Sequence, residues 1–461
     1  MSTKFDAVVI GMGQAGPSLA ARLSSAGLKV AVVEKDKFGG TCVNNGCTPT
    51  KAMVASAYAA SMARRAADYG VVLDGIPGVN MERVKARKDE IVRQSREGLE
   101  SWIGGLPNVT IYRGQARFAG TESVEVNGDE LAADRIFIDV GGRPIIPNIP
   151  GLDTVPYLTN VTMMDVNFVP EHLVVVGGSY VGLEFAQMFC RFGSQVTVVE
   201  MAAHLVGHED TDVSRCIEDF MAVEGISLRL EAKCISAHKA ANGLSVGVDC
   251  REGEPRVHGT HLLLAVGRTP NTEDLRLEVA GIKTDKHGYI EVDGALRTSN
   301  AHVWALGDCN GQGAFTHTAY NDYEIVADNL FSAADRKYTD RIPIYALYTD
   351  PPLGRIGMNE TSIKQAGVEA LVGKLPMTRV ARAREKSETH GFLKLYVEKS
   401  SKSILGASLL GTGADESVQS LVDAVYAKMP YTEFQRHVRI HPTVSELLPT
   451  VLENLRPLSS V

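Results

Sequence analysis

The sequence predicts an α/β protein, because a strand–helix–strand unit with a glycine-rich turn occurs twice in its first half. Hydrophobic residues make up 44% and charged residues 22% of the 461 residues, which is typical of a globular chain and excludes wholesale disorder. At roughly 150 residues per domain, this length suggests about three domains.

The first unit lies at the start of the chain. The apolar segment Phe5–Ile10 predicts a buried strand, and the turn Gly-Met-Gly-Gln-Ala-Gly follows it directly. An alanine-rich stretch predicts a helix over Pro17–Ala26, and a second strand over Lys29–Val33 ends at Glu34. This order is typical of a dinucleotide-binding site.

Each part of such a unit has a physical reason. Gly11 makes the tight turn, Gly13 lets the backbone approach a pyrophosphate, and Gly16 lets the helix pack on the strand. The helix N-terminus offers free N–H groups to the phosphates. Glu34 offers an acceptor for a ribose hydroxyl.

The second unit repeats this pattern at identical spacing. His172–Val176 predicts a strand, Leu183–Phe192 a helix and Gln195–Val199 a second strand. Two full copies in context are far more specific than one glycine motif, and they predict two dinucleotide sites. The candidate residues of the second site are Gly177, Gly178, Ser179, Tyr180, Gly182 and Glu200, with Ser179 in place of the middle glycine.

Charge and hydropathy exclude several classes of protein. The formal net charge of −8 argues against a nucleic-acid footprint. No apolar run approaches the length of a membrane span, and the N-terminus lacks the pattern of a signal peptide. Seven cysteines are too few for a secreted disulfide scaffold, so a cytoplasmic protein with no membrane partner is expected.

Two of those cysteines form a close pair. Cys42 and Cys47 are spaced C-x4-C, with glycines on both sides. A zinc site would require C-x2-C spacing and further ligands nearby, so a catalytic or redox-sensing dithiol is the better interpretation. If the segment after Cys47 is helical, Lys51 lies on the same face and would stabilise a thiolate.

The cysteine segment Gly39–Lys51 resembles the GTCxNxGCxPxK motif of the FAD-dependent pyridine nucleotide–disulfide oxidoreductases. Val140–Pro144 and Ala265–Asn271 resemble the two interdomain linkers of that family, and Val303–Asp308 resembles its second FAD motif. The resemblance covers nearly the whole chain.

The resemblance implies an architecture of three domains. These are two Rossmann-like dinucleotide-binding domains, one for FAD and one for NAD, plus a C-terminal α+β dimerisation domain. The expected FAD-binding domain comprises residues 1–148 and 270–340, the NAD-binding domain residues 149–269, and the dimerisation domain residues 341–461.

The resemblance also implies residue roles. Cys47 is the flavin-proximal thiol and Cys42 the interchange thiol that meets substrate. Lys51 lies near the flavin and pairs with a glutamate that matches Glu184, and Asp308 holds the ribityl chain. Further expected FAD contacts are Thr41 and Gly142, and a further expected NAD contact is Gly267.

Two more positions carry expectations from the family. Tyr180 matches a tyrosine that gates access of the nicotinamide to the flavin, although simple packing would also explain it. His441 and Glu446 match an HPTxSE motif in which a histidine serves as acid–base and a glutamate orients it. In the family this histidine reaches the cysteines of the partner subunit, which implies a homodimer.

Two further segments and the C-terminus bear on the electron acceptor. The segments Phe315–Tyr323 and Tyr348–Gly357 resemble a mercuric-reductase-like branch that includes the reactive-chlorine-resistance flavoproteins. True mercuric reductases end in a vicinal cysteine pair, which this chain lacks, since no cysteine follows Cys309. That branch predicts a metal-ion or small disulfide acceptor. The histidine–glutamate pair instead fits dihydrolipoyl dehydrogenase, and a flavin–cysteine redox sensor remains a further alternative.

The pyridine nucleotide is predicted from one residue and its surroundings. Glu200 at the end of the second strand suits a free ribose 2′-hydroxyl and repels a 2′-phosphate. No arginine or lysine occurs in residues 201–207. NADH is therefore expected in preference to NADPH.

Overall fold

Three large sheets organise the computed structural model, which describes residues 2–249 and 253–460. The first and second sheets carry the two predicted glycine turns at the carboxyl ends of their strands, and the third lies in the C-terminal part of the chain. Among the described residues, no helix combines the length and apolarity needed to cross a membrane.

The first sheet is built around the strand that precedes the first glycine turn. Its alternate residues face two separate apolar clusters, with Val8 and Ile10 in one and Ala7 and Val9 in the other. Burial on both faces is what a parallel strand between helices requires. In spatial order the strands are Val109–Arg113, Val30–Glu34, Thr3–Ile10, Asp129–Ile138, Ser123–Val126 and Ala116–Phe118, with Val303–Ala305 also paired to Asp129–Ile138.

The second sheet repeats the local geometry of the first. Gly11 N–H donates to the Val33 carbonyl at 2.8 Å, and Gly177 N–H donates to the Val199 carbonyl at 2.9 Å. The four strands are parallel, in the order Ser227–Arg229, Gln195–Val199, His172–Val176 and His261–Leu264. A small antiparallel sheet lies beside them, formed by Lys233–Ala240, Gly243–Asp249 and Arg256–Gly259.

The chain passes from the first region to the second and back through two adjacent segments. Gly142–Pro144 pairs antiparallel with Arg268–Pro270, so the outward and return segments form a two-stranded ribbon. Both segments lie within the stretches that the sequence predicted as linkers.

The third sheet confirms the α+β class predicted for the C-terminal part. Its strands follow the order Ile344–Leu347, Leu353–Gly357, Ile404–Leu410, Phe392–Glu398, Ala370–Pro376 and Arg456–Pro457. All neighbours in it are antiparallel. Short helices cover it, over Glu360–Gln365, Ala381–Glu385, Ala414–Ser417, Gln419–Tyr426, Tyr431–Phe434 and Leu448–Val451.

The remaining helices pack mainly on the first two sheets. The predicted strands His172–Val176 and Gln195–Val199 have the predicted bounds, whereas helix starts differ by up to three residues. Helix ends are the least specified part of a sequence pattern. These helices are Gly16–Ser25, Gly40–Asn45, Cys47–Arg64, Met81–Gly104, Asn160–Met163, Tyr180–Phe192, Thr211–Val223 and Thr316–Phe331.

Candidate active site

One cavity of about 1640 Å³ joins both glycine turns and the cysteine pair. Its lining includes Gly13 and Glu34 at one end, Cys47 in the middle, and Gly177 and Glu200 at the other end. Typical small-molecule pockets have about 300–1,000 Å³, so this cavity has room for more than one ligand.

The first glycine turn has the shape that its sequence predicted. Gly11 adopts φ +97°, which favours glycine. A methyl group added at Gly16 would lie 2.3 Å from the Gly11 carbonyl oxygen, so only glycine permits this approach of helix to strand. Glu34 Oε2 accepts from the Met12 N–H at 2.9 Å and thereby holds the turn against the second strand.

The second turn reproduces these features. A methyl group at Gly182 would lie 1.9 Å from the Gly177 carbonyl oxygen. Glu200 Oε2 accepts from the Gly178 N–H at 2.6 Å, and its Oε1 accepts from Ala202 N–H at 2.8 Å. Ser179 precedes the helix without a side-chain capping bond, and its side chain replaces the middle glycine without breaking the turn.

The two cysteines lie on consecutive helices. Cys42 is in the helix Gly40–Asn45, and Cys47 begins the helix Cys47–Arg64. The segment after Cys47 is therefore helical, which was the condition for Lys51 to lie on the same face as Cys47. The Cys47 Sγ lies 3.4 Å from Thr316 Oγ1, at the start of the helix Thr316–Phe331.

The pKa values of the two thiols shift in opposite directions. A hydrogen bond from Cys42, followed by the Thr316 hydroxyl and the Lys51 charge, lowers the pKa of Cys47 to about 6 against the opposing effect of burial. The same hydrogen bond, together with burial, raises the pKa of Cys42. Near neutral pH the reduced pair therefore holds a thiolate on Cys47 and a thiol on Cys42.

Lys51 connects the cysteine helix to the second glycine-turn helix. Its Nζ lies 2.7 Å from Glu184 Oε2 and 4.4 Å from the centre of the Tyr348 ring. Glu184 is 6% exposed and also accepts from the Tyr348 N–H at 3.0 Å. The contact between Lys51 and Glu184 that the family resemblance implied is thus present.

Thr41, Gly142 and Asp308 are linked through an arginine that sequence reasoning missed. Arg268 Nη2 donates to Thr41 Oγ1 at 3.1 Å and also to the Gly142 carbonyl, while its Nε donates to Asp308 Oδ2 at 3.2 Å. Burial raises the pKa of Asp308 against the lowering effect of Arg268. Gly267, at φ +126°, precedes this arginine and lines the same cavity.

Tyr180 lies in a cluster of aromatic rings. Its ring centre is 5.6 Å from that of Tyr345 and 6.0 Å from that of Phe315. The Tyr345 hydroxyl donates to Glu209 Oε1 at 2.5 Å. These rings line the cavity beside the cysteine pair, and the geometry is compatible with both a gating and a packing role for Tyr180.

His441 and Glu446 form the expected pair away from this cavity. His441 Nδ1 lies 3.0 Å from Glu446 Oε1, and the histidine side chain is 73% exposed while the glutamate side chain is 14% exposed. Val438 and Ile440 beside it are 98% and 79% exposed. Neither member of the pair is among the described residues that line the cavity.

Asp139 and Thr316 are further site residues that sequence reasoning missed. Asp139 follows the strand Asp129–Ile138 and its Oδ2 accepts from the Gly16 N–H at 2.7 Å. Its place directly before the predicted linker was a usable signal, since ligands bind at the carboxyl ends of parallel strands. Thr316 offered no comparable signal, because it is far from the cysteines in sequence.

The residues present fit two dinucleotides. Each glycine turn lines the cavity and opens a helix, and each has an acid at the end of the following strand. At the first helix the Gly16 N–H donates to Asp139, so the N–H groups of the turn itself are the ones available to a pyrophosphate. A methyl group at Gly40 would lie 2.9 Å from Gly13 Cα, so the cysteine segment packs directly on the first turn. This close approach brings a ligand at the first turn towards Cys47.

Comparison with known families gives two matches along the chain. The pyridine nucleotide-disulphide oxidoreductase profile matches residues 5–322, and the dimerisation domain of the same family matches residues 344–452. Together these matches include both glycine turns, the cysteine pair and the His441–Glu446 pair.

Curated relatives match over almost their full length. The chain is 34% identical to the probable pyridine nucleotide-disulfide oxidoreductase RclA of Escherichia coli strain K12, covering 96% of this chain and 98% of that protein. It is 32% identical to mercuric reductase of Streptomyces lividans, covering 97% and 95%. It is also 32% identical to dihydrolipoyl dehydrogenase of Staphylococcus aureus, covering 96% and 94%.

A solved structure shares the whole fold. The Cu(II) complex of the HOCl-induced flavoprotein disulfide reductase RclA from Escherichia coli superposes with a TM-score of 0.89 at 32% identity. The match covers 98% of this chain and 99% of that chain.

Proposed function

Because the chain belongs to the pyridine nucleotide-disulphide oxidoreductase family, we propose that it is an NADH-dependent FAD enzyme that passes electrons through a Cys42–Cys47 disulfide to a metal ion or a small disulfide. The observation that carries this proposal is the single cavity in which the glycine turns flank Cys47, with Lys51 beside it. The proposed domains are those expected from the sequence, with FAD at the first turn and NADH at the second.

Each cofactor site has its own support. Arg268 and Asp308 join the cysteine segment to the second FAD motif, and the first glycine turn offers N–H groups for a pyrophosphate. At the second turn the Glu200 carboxylate would repel a 2′-phosphate, which favours NADH. When bound, the flavin would supply the redox chemistry that converts one hydride of NADH, which carries two electrons, into an electron pair for the disulfide.

The chain's own residues then manage the sulfur chemistry. Reduction of the Cys42–Cys47 disulfide breaks one S–S bond and takes two electrons and one proton, which leaves a thiol on Cys42 and a thiolate on Cys47. The Lys51 ammonium balances the charge of the thiolate, and Glu184 keeps the ammonium in place. The low pKa of Cys47 favours it as the sulfur that stays beside the flavin.

A disulfide acceptor would be reduced by exchange. Cys42, once deprotonated, attacks one sulfur of the acceptor and forms a mixed disulfide, and the departing sulfur takes a proton. Cys47 then attacks Cys42, which releases the second thiol and restores the internal disulfide. His441, oriented by Glu446, is the proposed proton carrier for both steps, acting from the partner subunit.

A metal acceptor would use the same two electrons. One dithiol reduces a single Hg(II) by two electrons or two Cu(II) ions by one electron each. The similarity to RclA, whose solved structure is a Cu(II) complex, and to mercuric reductase supports this branch of the proposal. The hydrogen-bonded His441–Glu446 pair favours the second candidate, dihydrolipoyl dehydrogenase, because a metal ion needs no such proton carrier.

Steady-state oxidation of NADH and NADPH, with lipoamide, oxidised glutathione, Cu(II) and Hg(II) as separate acceptors, tests the proposal. We expect NADH to be preferred and Cys47→Ser to abolish turnover with every acceptor while FAD stays bound. Cys190→Ser is the matched control, since a serine hydroxyl can keep the contact of Cys190 Sγ with the Glu224 carbonyl.

The outcomes separate the candidates. Full activity of Cys47→Ser would refute the proposal, and a preference for NADPH would refute the role given to Glu200. Fast turnover with lipoamide identifies a dihydrolipoyl dehydrogenase. Absence of multiple turnover with all four acceptors would favour a redox sensor instead.

A further inference from the structure

Asp139 is a buried acid that the proposed electron transfer does not use. It follows the strand Asp129–Ile138 in the first sheet, where its N–H donates to the Ile10 carbonyl at 2.7 Å. The residue is 5% exposed. A carboxyl group in such a position costs free energy unless other groups satisfy it, so its contacts need an explanation.

The Asp139 carboxyl accepts a hydrogen bond from the first segment assigned to FAD and lies close to the second. Its Oδ2 accepts from the Gly16 N–H at 2.7 Å, at the start of the helix Gly16–Ser25. A methyl group added at Gly13 would lie 3.0 Å from Oδ2, and one added at Gly307 would lie 3.0 Å from Oδ1. The side chain therefore fills the space between the first glycine turn and the Gly307–Asp308 turn.

The charged groups around Asp139 disfavour its ionised form. Burial raises its pKa well above the usual value, and the nearby Asp308 and Asp322 raise it further, against hydrogen bonds from the Gly16 and Ala15 N–H groups. The buried Cys309 thiol interacts with it as well. The neighbouring cations have other partners, since Arg268 pairs with Asp308 and Arg341 with Asp322.

A bound pyrophosphate would add further negative charge at this place. Within residues 2–249 and 253–460, Asp139 has no ion pair that could offset that charge. An ionised Asp139 would thus repel the ligand of the turn that it supports, whereas a neutral carboxylic acid would not.

We propose that Asp139 is a positioning residue of the FAD pyrophosphate site, where its neutral carboxylic acid joins the two FAD segments and its ionisation weakens the hold on FAD. This inference rests on the proposed assignment of FAD to the first glycine turn. It adds a proton to the binding reaction, because the negative charge of the pyrophosphate stabilises the neutral form.

The direction of the pH dependence follows from this linkage. Below the pKa of Asp139 in the apoprotein, the acid is neutral with or without FAD, and the Kd is constant. Above that pKa the apoprotein must take up a proton to bind, so the Kd rises by up to about tenfold per pH unit. The rise ends at the still higher pKa of the FAD-bound protein.

The test is titration of the full-length apoprotein with FAD, followed by flavin fluorescence, between about pH 5 and pH 9. We expect the Kd of the wild-type protein to rise with pH and that of Asp139→Asn, which cannot ionise, to stay flat and low. Asp134→Asn is the matched control, since Asp134 is an exposed acid on the same strand. Its Kd should follow the wild-type curve.

Parallel pH profiles for the wild type and Asp139→Asn would overturn the proposal. Calorimetry of FAD binding to the wild-type protein in two buffers of different ionisation enthalpy gives a readout that needs no variant. It should detect proton uptake, and its absence at every pH would also overturn the proposal. Failure of the apoprotein to bind FAD at any pH would instead refute the proposed FAD site itself.

Discussion

At the scale of single residues, the environment of Cys47 decides which sulfur of the pair is the thiolate. Three groups stabilise negative charge on it: the Cys42 thiol, the Thr316 hydroxyl and the Lys51 ammonium. Lys51 is neutralised in part by Glu184, whose own charge raises the pKa of Cys47. The hydrogen bond from Thr316 is therefore an independent contribution that a substitution can isolate.

We predict that Thr316→Val raises the pKa of Cys47 from its value of about 6. A hydrogen bond to a charged group contributes roughly 1.5–3 kcal/mol, and one pKa unit corresponds to about 1.4 kcal/mol, so the expected rise is about one to two units. The measurement is the pH dependence of Cys47 alkylation by iodoacetamide in the dithiol form of the enzyme, which follows the thiolate fraction.

Since the pKa of Cys47 is depressed, the thiolate is present above the midpoint and is lost as the pH falls through it. Thr316→Ser, which keeps the hydroxyl, is the matched variant and should keep the wild-type midpoint. Identical midpoints for the valine and serine variants would show that the 3.4 Å contact contributes nothing.

At the scale of elements, a buried ion network fastens the helix Thr211–Val223 to the strand Phe392–Glu398. Lys394 is 2% exposed, and its Nζ lies 2.6 Å from Asp212 Oδ1 and 2.8 Å from Glu360 Oε1. The Tyr396 hydroxyl donates to Asp210 Oδ2 at 2.5 Å. The three carboxylates are close enough to hold a metal ion, and the lysine ammonium supplies the positive charge there.

We predict that Lys394→Met destabilises the protein by about 3–5 kcal/mol, because removing the ammonium leaves the buried Asp210 carboxylate without its cation. Denaturant unfolding followed by circular dichroism measures this loss. Lys399→Met is the matched control, since Lys399 also pairs with a carboxylate, that of Glu369, but its side chain is 56% exposed. An exposed pair contributes at most about 1 kcal/mol.

Similar losses for the two lysine variants would contradict this assignment. They would indicate that water reaches Lys394 and screens its charges. A loss confined to Lys394→Met would show that the segment before the helix Thr211–Val223 depends on the C-terminal sheet for its position.

At the scale of the whole molecule, one chain holds every part of the proposed reaction except the proton carrier beside its cysteines. His441 projects from the C-terminal part with two exposed apolar neighbours, Val438 and Ile440. The match to the family's dimerisation domain includes this segment. Both observations fit a site completed by a second copy.

We predict that two inactive variants, Cys47→Ser and His441→Ala, restore disulfide reduction when they are co-expressed. If His441 acts on the partner's cysteines, a mixed dimer has one site with neither group and one site with both. Differentially tagged mixed dimers should show about half of the wild-type activity per dimer. Both parent homodimers should show a loss of about 100-fold or more in disulfide turnover.

Mixed dimers as inactive as their parents would show that the histidine does not act across the interface. The His441→Ala homodimer is also tested with Cu(II) and Hg(II). If it still reduces these ions, the histidine serves disulfide acceptors only, and the metal branch of the proposal is supported.

The strands and turns of this protein were predictable because their signals are local. The bounds His172–Val176 and Gln195–Val199 follow from short apolar runs next to glycine and an acid, and the structure has the same bounds. The roles of Cys42, Cys47 and His441 came from family resemblance, and they stay predictions. The Lys51–Glu184 contact is present as the resemblance implied.

The sequence by itself determined the fold class, the two glycine turns and the close spacing of Cys42 and Cys47, since each depends on neighbouring residues. Only the tertiary structure decided which distant groups surround them. Thr316 approaches Cys47, Arg268 joins Thr41 to Asp308, and Asp139 fills the space behind the first turn. Such contacts depend on how sheets and helices pack, and no periodicity along the chain records that packing.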